Sequence, residues 1–156
     1  EMTSSLVGSE MCIRDRLIFV VVLLIPNIIY AVTNKDGFAD NYHNKFIEAG
    51  EQIGRFGCFI LMFIQLPFVT LGYIYDGAQT LYLILGIVLL ALYCGGWIVF
   101  RKGNCMAKAL TLSILPSVLF LESGILTLNI PLIVLSVVFA ICHITISCKN
   151  TVDNKQ

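Results

Sequence analysis

The sequence predicts an all-α transmembrane helical bundle of five spans, with the N-terminus outside and the C-terminus inside. Three observations predict it. The 156 residues are 58% hydrophobic and 13% charged, whereas a soluble domain is about a quarter charged. Five apolar runs approach the roughly 20 residues that cross a bilayer. Every Lys and Arg after residue 16 falls on one side of the topology those runs define. A soluble chain of this size leaves too much surface in water to hide so many apolar side chains. The mean hydropathy of +0.88 therefore makes lipid part of the solvent. A formal net charge of zero gives no field that would draw nucleic acid or an acidic substrate. The chain shows no internal repeat, low-complexity tract or long linker, so the length describes a single bundle.

The first sixteen residues stand apart. Leu6 to Asp15 read LVGSEMCIRD. This string resembles one reading frame of a translated sequencing-library transposase adapter, whose last two bases also fit the codon of Arg16. The resemblance marks residues 1–16 as adapter-derived and the true N-terminus as lost, so functional reasoning starts at Leu17. A signal-peptide n-region is the competing reading, with Arg14 and Arg16 ahead of an apolar run, but no small-residue cleavage motif follows. Without this segment Cys12 leaves the cysteine count. Eight basic and seven acidic residues remain, a formal net charge of +1. Residues 17–156 are then one transmembrane helical domain.

The spans follow in order. Leu17–Thr33 is short for a crossing, which truncation at the adapter junction explains. Phe56–Tyr75, Leu81–Phe100, Ala107–Leu128 and Ile130–Cys148 are each near spanning length. In lipid the backbone must satisfy its own hydrogen bonds, so each run is expected to be helical. The connections alternate. Residues 34–55 and 101–108 and the tail carry the Lys and Arg residues, while 76–80 and the turn at 128–131 carry none. The positive-inside rule makes the basic side cytoplasmic. Tyr30, Phe56, Tyr93, Trp97 and Phe100 lie toward that side, and Tyr73, Tyr75 and Tyr82 toward the other, as interfacial rings prefer. The long loop is expected to hold a helix that runs into the second span or lies along the inner interface. Phe46, Gly50, Ile53 and Gly57 recur on its apolar face, and Glu51 can pair with Arg55 four residues on.

Polar groups inside lipid are the candidate functional residues, because their burial costs free energy unless partners are found. Asn27, Ser113 and His143 share one layer, about five to seven residues from the cytoplasmic ends of their helices. Gln65 and Ser117 lie near mid-membrane, and Thr70, Glu122 and Ser136 nearer the outside. Ser136, Ala140, His143 and Ser147 share one face of the fifth span, and Gly57, Gln65 and Gly72 one face of the second. Small and polar residues together mark helix–helix contacts. Glu122 could carry a proton or bind a cation, or it could reach the outer interface. Ser113, Ser117 and Gly124 lie on the opposite face of the same helix, so either that helix is central or Pro116 redirects its outer half. His143 and Glu122 sit about 13 Å apart in depth by helical rise. A hydrogen bond from His143 to Asn27 or Ser113 is therefore favoured over a relay to Glu122.

Pro26, Pro67 and Pro116 fall within spans and read as kinks, while Pro131 sits where a helix start tolerates it. The five remaining cysteines form no CxxC pair, and Asp40, His43 and Glu48 read as a solvated loop rather than a metal site. No phosphate-binding loop, nucleophile elbow, zincin motif or dinucleotide fingerprint is present. No cofactor, metal or nucleic-acid partner is expected.

The segments IPNIIYAVTNKDGF, IEAGEQIGRFGCFILM and SILPSVLFLESGI resemble those of small, uncharacterised bacterial inner-membrane proteins. The resemblance covers most of residues 17–156 and implies a multi-span protein of the cytoplasmic membrane without implying an activity. The leading expectation is a bundle acting through packing against lipid, a partner membrane protein or a second copy. A small proton-coupled carrier using Glu122, with Gln65 and His143 along its path, comes next. A membrane-embedded enzyme, which would need a convergent polar pocket opening at one interface, comes third.

Overall fold

A computed structural model describes residues 2–33, 44–64, 73–75, 77–100 and 105–153, the side chains of residues 2–13 and of Ala31 excepted. These residues form five helices: α1 (Met2–Thr33), α2 (Lys45–Phe63), α3 (Ala78–Val99), α4 (Met106–Leu126) and α5 (Ile130–Asp153). Three of them, Ala78–Val99, Met106–Leu126 and Ile130–Val152 of α5, are long and apolar enough to cross a membrane.

Helix α1 differs from the expected short span. It begins at Met2 and runs without a break through the Arg16–Leu17 junction and past Pro26. Helix α2 differs more. The expected second span ran from Phe56 to Tyr75, but the helix starts at Lys45 and stops at Phe63. Its start is built by Asn44, whose Oδ1 accepts the N–H groups of Phe46 and Ile47 at 3.1 and 3.4 Å. In return Glu48 Oε1 accepts the Asn44 N–H at 3.1 Å. This reciprocal arrangement satisfies donors that a helix start otherwise strands. At the other end Ile64 turns to an extended backbone. Pro67 has no N–H to offer the Phe63 carbonyl, which favours a stop there. The loop helix and the start of the second apolar run are thus one element. Pro67, Thr70 and Gly72 lie outside the described residues.

The α4–α5 turn is tight. Leu128 takes a positive φ of 48°, a left-handed conformation that costs a non-glycine residue about 1–2 kcal/mol. It lets Asn129 Oδ1 accept the Leu132 N–H at 3.1 Å and start α5. Pro131 falls in the first turn, where its missing donor is harmless.

The helices close into a ring in the spatial order α1, α3, α4, α5, α2, with α2 returning to α1 and also touching α4. Helix α4 packs against α3, α5 and α2, which explains how it presents polar residues on opposed faces. Between α2 and α5 the approach is close. A Cβ added at Gly54 would lie 2.8 Å from the Phe139 Cβ and 2.9 Å from its Cα, and one at Gly50 would lie 2.9 Å from the Cys142 Sγ. Glycines at these positions let the two helix backbones approach closely.

Polar residues share the interior with the apolar core, and many large apolar side chains face outward. Ser113, Ser117, Ser123, Thr127, Asn129 and Ser136 are buried, while Ile84, Ile87, Ile98, Val134 and Ile141 are exposed. Helix α2 follows the same pattern, with Phe46, Ile53, Phe56 and Ile60 outward and Glu51, Gly54, Cys58 and Met62 inward. The apolar face expected of the loop helix is split by this arrangement: Phe46 and Ile53 point out, and the glycines face α5.

Candidate functional site

All five helices contribute to one partly open cavity of about 430 Å³. Its lining comes from the C-terminal halves of α1, α3 and α5 and the N-terminal parts of α2 and α4. Consecutive helices therefore alternate in direction, and the cavity lies at the end of the bundle where α5 finishes.

Position along each helix sorts the lining into layers. At the mouth lie Glu48, Lys108, Asn150 and Thr151, with Tyr30 and Trp97 beside them. The next layer holds Asn27, Glu51, Arg55, Ser113, His143 and Ser147. The floor is apolar, made by Leu23, Phe59, Pro116, Phe120 and Phe139. The rings of Phe59, Phe120 and Phe139 meet edge to face at 5.6 and 5.4 Å between centroids, the preferred geometry for aromatic pairs.

The middle layer is tied together across helices. Glu51, 3% exposed, accepts from Arg55 one turn on and sits 3.1 Å from Nδ1 of His143 on α5. The His143 ring stacks on Phe139, with centroids 4.8 Å apart and planes 16° apart. Ser113 on α4 hydrogen bonds Ser147 on α5 at 2.6 Å. Burial works to raise the Glu51 pKa, but the His143 hydrogen bond and the charge of Arg55 outweigh it. The carboxyl group is held below its ordinary range. An ionised carboxylate in a dry interior is tolerated only when paired in this way.

At the mouth, Cys105 Sγ caps α4 by accepting the Lys108 N–H at 3.4 Å. The Lys108 ammonium then lies over the rings of Tyr30 and Trp97, 5.1 and 5.7 Å from their centroids. The two rings are themselves in contact at 5.0 Å. A desolvated cation over aromatic faces is stabilised by the ring quadrupoles.

Of the residues singled out from the sequence, Asn27, Ser113 and His143 line this cavity together. Their bonds are not the expected ones. His143 pairs with Glu51, Ser113 with Ser147, and Asn27 donates to the Leu23 carbonyl of its own helix at 3.2 Å. The expected histidine bond fails because a buried carboxylate on α2 outcompetes neutral partners. Gln65 lies outside the described residues. Glu122 lies at the opposite end, against a smaller hollow of about 240 Å³ lined by Leu85, Val118, Leu121, Ile125 and Leu126. Both its oxygens are shielded, and neither finds a hydrogen-bond partner among the described residues.

Two participants, Glu51 and Lys108, escaped the sequence reading, and so did Arg16 at the opposite end of the bundle. Glu51 was legible only as a helix partner of Arg55, although Glu51, Gly54, Cys58 and Met62 recur at the spacing of one helix face. Lys108 was counted as a loop cation. Arg16, set aside with the adapter-like segment, is buried and lies 5.8 Å from the centre of the Tyr82 ring. Among the described residues no group of three His, Cys, Asp or Glu side chains could hold a metal ion. No family model, curated protein or solved structure matches the chain.

Proposed function

We propose that the chain is a multi-span protein of a bacterial cytoplasmic membrane that binds a small ligand in the cavity at its cytoplasmic end. The observation that carries this reading is the cavity itself. Five helices converge on it, and a charged layer sits above an apolar floor. Small-molecule sites have this build, mostly apolar with a few placed polar groups.

The five-span topology, N-terminus out and C-terminus in, is part of the same reading. The exposed apolar face of α2 supports its contact with lipid from Phe56 onward, and the alternating helix directions support a crossing by each element. Lys45, Arg55, Lys108 and Lys149 then sit toward the cavity end, which the positive-inside rule places in the cytoplasm. Reporter fusions after Asp153 test this orientation. Activity of a periplasmic reporter there would overturn it. For binding, Trp97 is the chain's one tryptophan and lines the cavity. A ligand entering the site should change its emission, and a cavity filled by Ser147→Phe should abolish that change.

A proton-coupled carrier using Glu122 is the second reading. The observation in its favour is the shielded carboxylate, which finds no hydrogen-bond partner among the described residues. Glu122→Gln should abolish coupled flux while leaving ligand binding at the far cavity intact, and unchanged flux would exclude this reading.

A further inference from the structure

We infer that the cavity takes an uncharged single-chain amphiphile whose headgroup carries a hydroxyl. This rests on the ligand-binding reading above and specifies the ligand's chemistry. Three features converge on it.

The first is the order of the layers. Polar groups ring the mouth and the level below it, and the floor is hydrocarbon, from Leu23 on α1 to Phe139 on α5. From Glu48 at the mouth to Phe59 at the floor the helical rise gives a depth of about 16 Å. A fully polar solute leaves the floor unmatched, and a plain hydrocarbon leaves the polar levels unmatched. The volume of about 430 Å³ suits one alkyl chain with a compact headgroup rather than a two-tailed lipid.

The second is charge. Among the described residues of the lining, Glu48 and Glu51 balance Arg55 and Lys108. Each of the four is engaged by the chain itself. Glu51 accepts from Arg55 and faces His143, and Glu48 accepts the Asn44 N–H. Lys108 lies over the Tyr30 and Trp97 rings. A charged headgroup of either sign has to draw one of these groups away and leave its partner uncompensated in a partly buried site. An uncharged headgroup leaves the whole set intact.

The third is a pair of hydroxyls. Ser113 Oγ on α4 and Ser147 Oγ on α5 are 2.6 Å apart, at the level between the mouth and the floor. The pair carries two protons, and only one of them lies between the oxygens. The second proton and the spare lone pairs make the pair donor and acceptor at once, which is the complement of another hydroxyl. A headgroup seated there directs its chain toward the rings of Phe59, Phe120 and Phe139.

The full chain, reconstituted in phosphatidylcholine vesicles, is titrated with monopalmitin, hexadecyl sulfate, hexadecyltrimethylammonium and glycerol. Each amphiphile is compared at its measured mole fraction in the bilayer. Emission of Trp97, the chain's one tryptophan, reports occupancy. Monopalmitin should saturate the signal at a mole fraction at least about tenfold below that of either charged chain, the penalty for opening a matched set of charges. Glycerol should be silent. Ser147→Ala should weaken monopalmitin about fivefold, the worth of one hydrogen bond. Ser147→Phe should abolish the response, and Ser147→Ala reads the same position should the larger side chain prevent folding. A charged chain binding as tightly as monopalmitin would overturn the uncharged headgroup. Full monopalmitin affinity in Ser147→Ala would overturn the hydroxyl match, and binding of glycerol alone would overturn the amphiphile. Each of these failures leaves the ligand-binding reading standing. A response that persists in Ser147→Phe, or silence of every probe, would instead sink the binding reading itself.

Discussion

Glu51 Oε1 lies 3.1 Å from His143 Nδ1, and this contact joins α2 to α5 at the centre of the cavity's polar layer. It converts two groups that each resist burial into one that is tolerated. Glu51→Leu strands the Arg55 and His143 donors in a partly buried layer, and removing one partner of a buried hydrogen-bonded set costs about 1–3 kcal/mol. The variant should unfold at lower temperature in detergent. In a double-mutant cycle with His143→Phe, the coupling should differ from zero by at least about 0.5 kcal/mol. Additive losses would show that the contact contributes nothing of its own.

The same contact predicts an acid limb of stability. The folded-state pKa of Glu51 is lowered, with burial opposing and His143 and Arg55 prevailing. A lowered carboxyl pKa contributes stability that is fully present above the unfolded value and is lost as pH falls through the folded one. Thermal stability should therefore decline below the ordinary carboxylate range. In Glu51→Gln that decline should be shallower, and an unchanged pH profile in this variant would contradict the assignment.

The glycines of α2 separate backbone approach from general helix propensity. Gly54→Ala drives a Cβ to within 2.8 Å of Phe139, where backbone atoms cannot move aside cheaply. A loss of about 1–3 kcal/mol is expected for such overpacking. Gly95→Ala meets nothing within 4 Å. It should be neutral or stabilising by up to about 1 kcal/mol, since alanine restricts the helix less unfavourably than glycine. Equal effects at the two sites, read by thermal unfolding, would mean that the α2–α5 approach is looser than described.

Glu122 should behave as a cost to folding. Its shielded oxygens find no partner among the described residues, and an unsatisfied buried polar group costs about 1–3 kcal/mol. Glu122→Leu should raise the unfolding temperature. A fall instead would reveal an interaction that the carboxylate needs, and would move this end of the bundle to the centre of attention.

The α-helical class and the three most apolar helices were legible in the sequence, because long runs of Leu, Ile and Val state their own solvent. The shared layer of Asn27, Ser113 and His143 was legible too, since helical rise converts sequence position into depth. The extent of α2 was not. A hydropathy run marks where lipid is tolerable, while the helix follows the Asn44–Glu48 cap and ends ahead of Pro67. The partner of His143 was hidden for a related reason. Glu51 lies in a charged stretch that reads as solvated until α5 is seen against the glycine face of the same helix. Depth is one-dimensional in a sequence, but adjacency around a ring is not. The return of α2 to α1 and α5, past its chain neighbour α3, had no local signal.

That ring order bears on how the protein is made. Helix α2 leaves the ribosome before α5, which supplies the imidazole and the surface that its glycines fit. Until then Glu51 has only Arg55 for company, and α2 is poorly suited to lipid on its inner side. The packing of α2 against α5 can therefore form only once α5 has been made. A chain stopped before α5 would not yield a smaller bundle. It would leave Glu51 paired with Arg55 of its own helix but without His143, and the glycine face of α2 without the surface it fits.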